Sequence, residues 1–330
     1  MSLTPASNYY GSGTGTTDAY SGKFIPQIWS GKLQVKFYAH TVLNDITNND
    51  WEGEIKDQGD KVEIRTIPSI TINNYTKGQT LSAQVPTNNV VELNIDKGKY
   101  FQVNVDDVDE VQADLKLMDI FTNDAAQQMK IAVDTDVFAG IADGAATNNK
   151  GATAGLLSGD INLGIATDAA AAGDQRRGVK ITKDNIIDKI IQMGQCLDEQ
   201  NVPEEGRWIV LPAWAASRIK TSDLKSAMIT GDQVSPLRNG KLGMVDKFTV
   251  YVSNLLPSAT GITGEGSDSS VKAFNVYAGT RDAITFASQI TKVETLRSTS
   301  TFGNLVRGLN VYGYKVIKPE ALVEGFFYAG

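Results

Sequence analysis

The chain has 330 residues, of which 41% are hydrophobic, so it is long enough to fold around one large core or two medium ones. Its formal net charge of -7 argues against a surface that coats nucleic acid, because phosphate binding needs clustered lysine and arginine. Cys196 is the only cysteine, which excludes an internal disulfide and a cysteine-rich metal cluster. His40 is the only histidine, which argues against a histidine zinc site and against most hydrolase mechanisms.

Targeting signals are not evident in the sequence. Residues 1–10 lack the charged region and the apolar core of a secretory signal peptide. No run approaches the roughly 18 apolar residues of a membrane span. We therefore expect the chain to be made and used in a cytoplasm, without membrane contact.

The first part of the chain, residues 1–50, is predicted to be an arm followed by a short helix. Residues 2–23 are rich in glycine, serine, threonine and tyrosine and cannot form a packed core. Residues 25–45 are predicted to be helical because apolar side chains recur broadly on one side, and His40 would lie in this helix. Trp29 is expected to anchor the segment to its own subunit or to a neighbouring one.

Three segments show the period of two expected of half-buried strands, at residues 61–67, 90–96 and 100–105. The first two are separated by about twenty residues, longer than most loops in compact domains. Within this loop, residues 70–81 are predicted to form a two-stranded ribbon with Lys77-Gly78 as its turn. An isolated ribbon is only marginally stable, so we expect it to lie on a neighbouring subunit.

Residues 107–142 are predicted to contain one long amphipathic helix. At about 1.5 Å per residue it would be roughly 50 Å long and would span the subunit as a spine. Asp134 is placed on its polar face, and Gly140 lies where the helix should end. The predicted apolar face consists of Val108, Val111, Leu115, Met118, Phe121, Ala125, Met129, Ala132 and Val133.

The remainder is predicted to be mixed helix and strand. Residues 143–180 are rich in glycine and alanine and form a connection, with a hairpin expected at 159–164. Thr182 is predicted to cap a helix, residues 208–211 to form a strand covered on both faces, and Pro212 to start another helix. The buried face of the helix after Thr182 is predicted to be Ile186, Ile187, Ile190, Ile191 and Leu197. Further strands are predicted over 245–253, 271–278, 284–296, 305–316 and 322–328.

Residues 221–239 have few large apolar side chains and end in the turn signal Arg238-Asn-Gly240. A loop of this length that points away from the core is a candidate for contacts around a symmetry axis. Ser235 and Arg238 are the candidate contact residues within it.

The order of these parts resembles the major capsid proteins of tailed double-stranded DNA phages, which have the Hong Kong 97-like fold. The shared order is a strand pair with a long projecting loop, followed by a spine helix. Arg207-Trp-Ile-Val-Leu-Pro212 resembles a second segment of that family. Further resembling segments, from about Phe24 to the end of the chain, are residues 60–64, 93–97, 103–107, 237–243, 248–254 and 303–323.

This resemblance implies an α+β fold with an N-terminal arm, an extended β-hairpin loop, a spine helix in a peripheral domain, and a mixed α/β axial domain. The implied divisions are an arm and helix at 1–50, strands with the extension loop (about 67–91) at 51–106, the spine helix at 107–142, a connection at 143–180, the axial domain at 181–300 and returning strands at 301–330.

The resemblance also implies a structural function, namely self-assembly as hexamers and pentamers into an icosahedral shell. The shell would enclose the phage double-stranded DNA without specific binding, in a virion assembled in the host bacterial cytoplasm. Implied partners are a scaffolding protein during assembly, a portal protein at one vertex and, as an option, a decoration or cement protein. The expected contacts between subunits involve Trp29, Ile72, Tyr75, Lys77, Leu81, Ser235 and Arg238.

Two other functions are alternatives to a phage shell protein. An encapsulin-like nanocompartment shell would share the fold but enclose cargo enzymes. An enzyme would need catalytic motifs, and the Ser-x-x-Lys matches at Ser217 and Ser222 lack the partner motifs that their mechanism requires. We expect no catalytic, cofactor or metal site.

Overall fold

The computed structural model describes residues 36, 38–51, 61–68, 70–85, 90–107, 117–166, 176–222, 243–266, 268, 270–298 and 301–330. Residues Phe37–Gly330 form one compact unit. The predicted arm, Trp29 and most of the predicted axial loop, including Ser235 and Arg238, lie outside the described residues.

A seven-stranded mixed sheet forms the larger part of the described fold. Its strands are β4 (Val179–Ile181), β5 (Arg207–Leu211), β6 (Met244–Val245), β7 (Phe248–Val252), β8 (Ser258–Ile262), β9 (Val271–Thr280) and β12 (Leu322–Ala329). Their order in the sheet is β4-β12-β9-β5-β7-β6, with β8 paired to β9. The β5–β7 and β12–β4 pairs are parallel, whereas β9 runs antiparallel to β5, β8 and β12.

Strand β5 is buried at every position, as its continuous apolar sequence predicts. Its side chains alternate between two cores on opposite faces of the sheet. Ile209 and Leu211 pack in the first core, and Trp208 and Val210 pack in the second. The strand therefore divides the interior into two layers.

The first core is closed by α3 (Ile186–Glu199) and α4 (Ala213–Thr221). The predicted cap is wrong in detail, because Asn185 immediately precedes the helix and its Oδ1 accepts the Thr182 N–H at 2.7 Å. Ile191, predicted to be buried, is instead about half exposed. The apolar stripe is completed by Met193 and Cys196, which are fully buried.

The second core is formed where the end of the spine helix, α2 (Leu117–Gly140), meets the sheet. The helix ends at Gly140 as predicted, and residues 108–116 lie outside the described part. Val133, Val137 and Phe138 are buried, whereas Phe121, predicted on the apolar face, is exposed. The predicted face is wrong at Ala132 and Asp134 as well, since Ala132 is exposed and Asp134 is buried. Only the last turns of the helix lie over the core, so one apolar stripe does not describe its whole length.

A second sheet has three antiparallel strands in the order β10-β11-β3. They are β3 (Lys97–Asp106), β10 (Ile284–Arg297) and β11 (Gly303–Val316). A third sheet pairs β1 (Lys61–Arg65) with β2 (Val90–Asn94). Val62, Ile64, Val91 and Leu93 face inward there, which confirms the predicted alternation.

The helix predicted over residues 25–45 is wrong in its described part. Residues 38–42 are not helical, and α1 comprises only Leu43–Ile46. The Asp134 carboxylate accepts the backbone N–H groups of Val42 at 2.9 Å and Leu43 at 3.4 Å. These two N–H groups therefore bond to α2 and not to carbonyl groups of a preceding helical turn, and the bonds hold the segment against α2.

In its described residues before β4, 143–166 and 176–178, the connection after the spine helix contains one 3₁₀ helix and isolated bridges. Thr147–Asn149 is a 3₁₀ helix, and Ala154 pairs with Ile161. The tight reversal therefore begins earlier than the predicted 159–164. Two further 3₁₀ turns, Arg281–Ala283 and Pro319–Ala321, precede β10 and β12.

Gly140 is expected to be essential to the junction between α2 and β11. A Cβ atom there would lie 1.8 Å from the Tyr314 hydroxyl, which donates to the Asp136 carbonyl at 2.9 Å. We expect Gly140→Ala to lower the free energy of unfolding by about 1–2 kcal/mol, because the ring must move and lose this bond. Urea unfolding measures the change. Gly243→Ala is the matched control, since a Cβ atom at Gly243 would meet nothing within 4 Å; equal losses in both variants would contradict the prediction.

Candidate assembly surfaces

The extension loop leaves β1 after Arg65 and returns at Val90. Its turn is at the predicted place, because the Gln79 N–H donates to the Thr76 carbonyl at 3.0 Å around Lys77-Gly78. Gly78 has φ 86°, a conformation that glycine adopts without steric cost.

The predicted strand ladder of the ribbon is not formed within residues 70–85. The two arms are joined instead through one side chain. Gln84 Nε2 donates to the Thr71 carbonyl at 2.8 Å, and Gln84 Oε1 accepts the Thr71 N–H at 3.1 Å. The physical reason is that a lone ribbon buries too little surface to align its backbone groups.

The loop displays apolar side chains with no cover from its own subunit. Ile72 is 90% exposed and Leu81 is 75% exposed, and Tyr75 lies near them in the sequence. Lys77 carries the only charge within residues 70–85. The exposed apolar set of the loop and its approaches is Ile67, Ile70, Ile72, Tyr75, Leu81 and Val85. The structure thus brings four of the predicted contact residues, Ile72, Tyr75, Lys77 and Leu81, onto one projecting loop.

A second apolar surface, missed by the sequence reasoning, is the solvent-facing side of the β10-β11-β3 sheet, here termed the outer face. Tyr100, which is 78% exposed, lies opposite Leu309 in the register of β3 and β11. Leu296 is also exposed on β10. The alternation within β3 was a signal for one exposed strand face, since Tyr100, Gln102 and Asn104 alternate with less exposed residues.

Charged side chains on the outer face pair with one another across the strands. Glu294 on β10 accepts from Arg307 on β11 and forms an ion pair with Lys292 at 3.0 Å. Lys292 and Arg307 together hold the pKa of Glu294 below its usual value. Such exposed pairs contribute little to stability, and these three side chains together leave one net positive charge on this face.

The extension loop is tied at its base by β1 and β2. Lys61 Nζ lies 3.2 Å from Glu92 Oε1 and 3.4 Å from Glu63 Oε1, and these carboxylates raise the pKa of the lysine, Glu92 more than Glu63. Ile64 and Leu93 beneath them are buried with Ile95. The base of the loop is thus packed while its tip is exposed.

Other site types find little support in the described part of the chain. No group of histidine, cysteine and acidic side chains there has the arrangement of a metal site. None of the described helices combines the length and apolar composition needed to cross a bilayer. Cys196 is buried within the first core, and burial raises the pKa of its thiol to about 12.

Comparison with known proteins agrees with this architecture. A solved structure from Mycobacterium phage Che8 is similar at 27% identity over 92% of this chain and 97% of the other, with a TM-score of 0.70. The capsid structure of cyanophage P-SCSP1u is similar at 16% identity over 100% and 99% of the two chains, with a TM-score of 0.67. The mature capsid of bacteriophage PhiM1 is similar at 14% identity over 99% of each chain, with a TM-score of 0.63.

The last two similarities, at low identity, bear on the fold alone. No curated protein sequence matches significantly. The family model described as phage capsid protein matches residues 90–325, which is most of the sequence. These findings favour a phage shell over the encapsulin-like alternative and confirm the α+β, Hong Kong 97-like fold. The chain belongs to the phage capsid protein family, and it is a structural protein of the capsid shell.

Proposed function

We propose that copies of this chain associate as hexamers and pentamers that close into an icosahedral shell around the double-stranded DNA of a tailed phage. The observation that carries this proposal is the extension loop, whose apolar side chains are exposed along its whole described length. Several large apolar side chains exposed on one loop are typical of an interaction site. A neighbouring copy would cover it.

In this proposal the loop of one subunit lies on the next. Ile72, Tyr75 and Leu81 supply apolar area, and Lys77 at the turn supplies the charge. Trp29, Ser235 and Arg238 remain predicted contacts in parts of the chain outside the described residues. Each contact is weak alone, and the closed shell is stable because every contact is repeated in every subunit.

The DNA would be enclosed without a specific binding site. The net charge of -7 supports this, because a wall poor in clustered cations does not retain phosphate backbones. Assembly would take place in the cytoplasm of the bacterial host, with a separate scaffolding protein, a portal protein at one vertex and an optional decoration protein. The proposed role is structural, with no chemistry at any site.

The first test is the particle formed by the chain. We would express it alone and together with the proteins encoded beside it, then measure mass by light scattering and shape by electron microscopy. Closed shells, or rings of five or six subunits, are the expected result. A monomer that persists under every condition, including with the neighbouring proteins present, would contradict the proposal.

A substitution in the loop is expected to weaken assembly without unfolding the subunit. Ile72→Ser removes a side chain whose burial contributes about 2 kcal/mol to each contact, so the protein concentration needed for assembly should rise. Sedimentation measures the assembled fraction, and thermal unfolding of free subunits should not change. Asn73→Ser, on the adjacent polar residue, is the matched control. A normal assembly threshold for Ile72→Ser would show that this side chain is not covered in the shell.

A further inference from the structure

A separate apolar feature lies in the connection after the spine helix, away in sequence from both the extension loop and the outer face. Ala154 and Ile161 exchange backbone hydrogen bonds of 2.8 and 3.1 Å, which close a short loop. Its apex, Gly155–Gly159, is termed here the leucine tip. Leu157 is 81% exposed, and Leu156 beside it is about half exposed.

The leucine tip is held in place by α3. The Glu199 Oε2 atom accepts the N–H groups of Leu157 at 2.7 Å and Ser158 at 3.2 Å. Gln195 Nε2 donates to the other carboxylate oxygen at 2.9 Å, one helical turn earlier. The Gly155 N–H donates to the Asn148 carbonyl at 2.7 Å. The backbone that carries the two leucines is therefore fixed from several directions.

The two glycines of the tip suit its backbone conformation, since glycine adopts positive φ without steric cost. Gly155 has φ 100° and Gly159 has φ 62°. A Cβ atom at Gly155 would also lie 2.1 Å from Ser158 Oγ. The sequence Gly-Leu-Leu-Ser-Gly thus builds a tight loop whose own core contacts are already supplied by Ala154 and Ile161, which are buried. Leu156 and Leu157 are not part of the first core of the subunit.

A rigid loop that presents apolar side chains is suited to docking, because little conformational entropy is lost when it binds. Two leucines nevertheless cover far less than the roughly 1,200 Å² that a stable two-protein interface buries in total. Such a small contact becomes effective when it is repeated many times in one closed assembly. A second copy of the same chain meets this condition, since the family forms shells from many copies.

We propose that the leucine tip inserts into an apolar socket on a second copy of this chain and is a contact between subunits of the shell. This inference rests on the proposed shell assembly and adds a contact distinct from the extension loop. Asp160 is exposed directly after the tip. Because like charges repel across an interface, we expect the rim of the socket to lack acidic side chains.

The test uses a thiol placed at the tip. Leu157→Cys introduces an exposed thiol, while Cys196 is fully buried and reacts slowly. We expect maleimide to label the tip rapidly in free subunits and at least about tenfold more slowly in assembled shells purified to contain only this chain. Lys183→Cys, on an exposed polar position three residues before α3 begins, is the matched control and should label equally in both states.

The outcomes separate the possibilities. Equal labelling of Leu157→Cys in shells and free subunits would overturn the inference, as would protection that appears only when a decoration protein is bound to finished shells. Leu157→Ser should reduce the yield of shells while leaving thermal unfolding of the subunit unchanged, and an unchanged yield would also count against it. If the wild-type chain forms no particles under any condition, the proposed shell assembly itself fails, which light scattering reveals before any labelling.

Discussion

The free energy of unfolding of the subunit should fall by on the order of 3 kcal/mol between pH 5 and pH 8 through one carboxyl group, Glu324. Burial raises the pKa of Glu324 to about 7, although the Asp143 N–H, Lys150 and Asn275 act in the opposite direction and the nearby Asp143 carboxylate adds to the rise. Its carboxyl oxygens accept hydrogen bonds from Asn275 Nδ2 at 2.7 Å and from the Asp143 N–H at 2.9 Å.

The sign follows from proton binding. The folded state holds a proton on Glu324 up to about pH 7, whereas the unfolded chain releases it near the ordinary value of 4.5. Stability from this group is therefore present below that ordinary value and is lost as the pH rises through 7. Glu324→Gln should remove most of this dependence, because the amide is neutral at both pH values.

Urea unfolding of unassembled subunits at pH 5 and pH 8 would measure the effect. Exposed Glu320 offers a matched Glu→Gln control a few residues away, which should leave the pH dependence of the wild type intact. A wild-type protein equally stable at both values, or a Glu324→Gln variant with the same loss as wild type, would contradict the prediction.

The second large effect is expected at Asp134, which holds the segment before α1 against the spine helix. Asp134→Ala leaves the N–H groups of Val42 and Leu43 without their acceptor in a buried environment. We expect a loss of about 3 kcal/mol, since each unsatisfied buried donor costs about 1–3 kcal/mol. Burial raises the pKa of Asp134, because a buried carboxylate is unfavourable. The alanine variant no longer buries this charge, and that gain offsets part of the loss.

Asp134→Asn keeps one acceptor oxygen and should lose about a third as much, so the two variants separate the hydrogen bonds from the charge. Unfolding in urea gives the free energies, and hydrogen exchange of the Val42 amide reports directly on the lost bond. If exchange at Val42 stays as slow in Asp134→Ala as in wild type, the carboxylate does not hold this segment.

Much of the fold could be predicted from periodicity. The strands of the C-terminal half, the buried strand at Arg207–Leu211 and the end of the spine helix at Gly140 are all confirmed. They share a strong local signal, either a run of apolar residues or a clear period, and tertiary contacts only reinforce it.

The misses occur where tertiary contacts decide. Asp134 lies on a helix face that reads as polar, yet α1 packs onto that face and buries it. Glu324 lies in a strand whose sequence gives no sign that a charged residue faces a turn at Asp143. In the candidate surfaces, the exposed loop could be predicted because its length and turn are local properties. For the outer face, the alternation within β3 was a local signal, but the pairing of Tyr100 with Leu309 was not. These two residues are about two hundred positions apart in sequence and meet only through the register of β3 and β11.

The positions of β11 and β12 in their sheets have a consequence for the timing of synthesis. β11 is the middle strand of the three-stranded sheet, and β12 lies between β4 and β9 in the seven-stranded one. Neither sheet can close until residues 303–329 have left the ribosome, since both lack an interior strand before then. At roughly 5–20 residues per second, nascent chains spend many seconds with open sheet edges. Both sheets therefore close only after residues 303–329 have been made, so a chain interrupted before them retains open sheet edges.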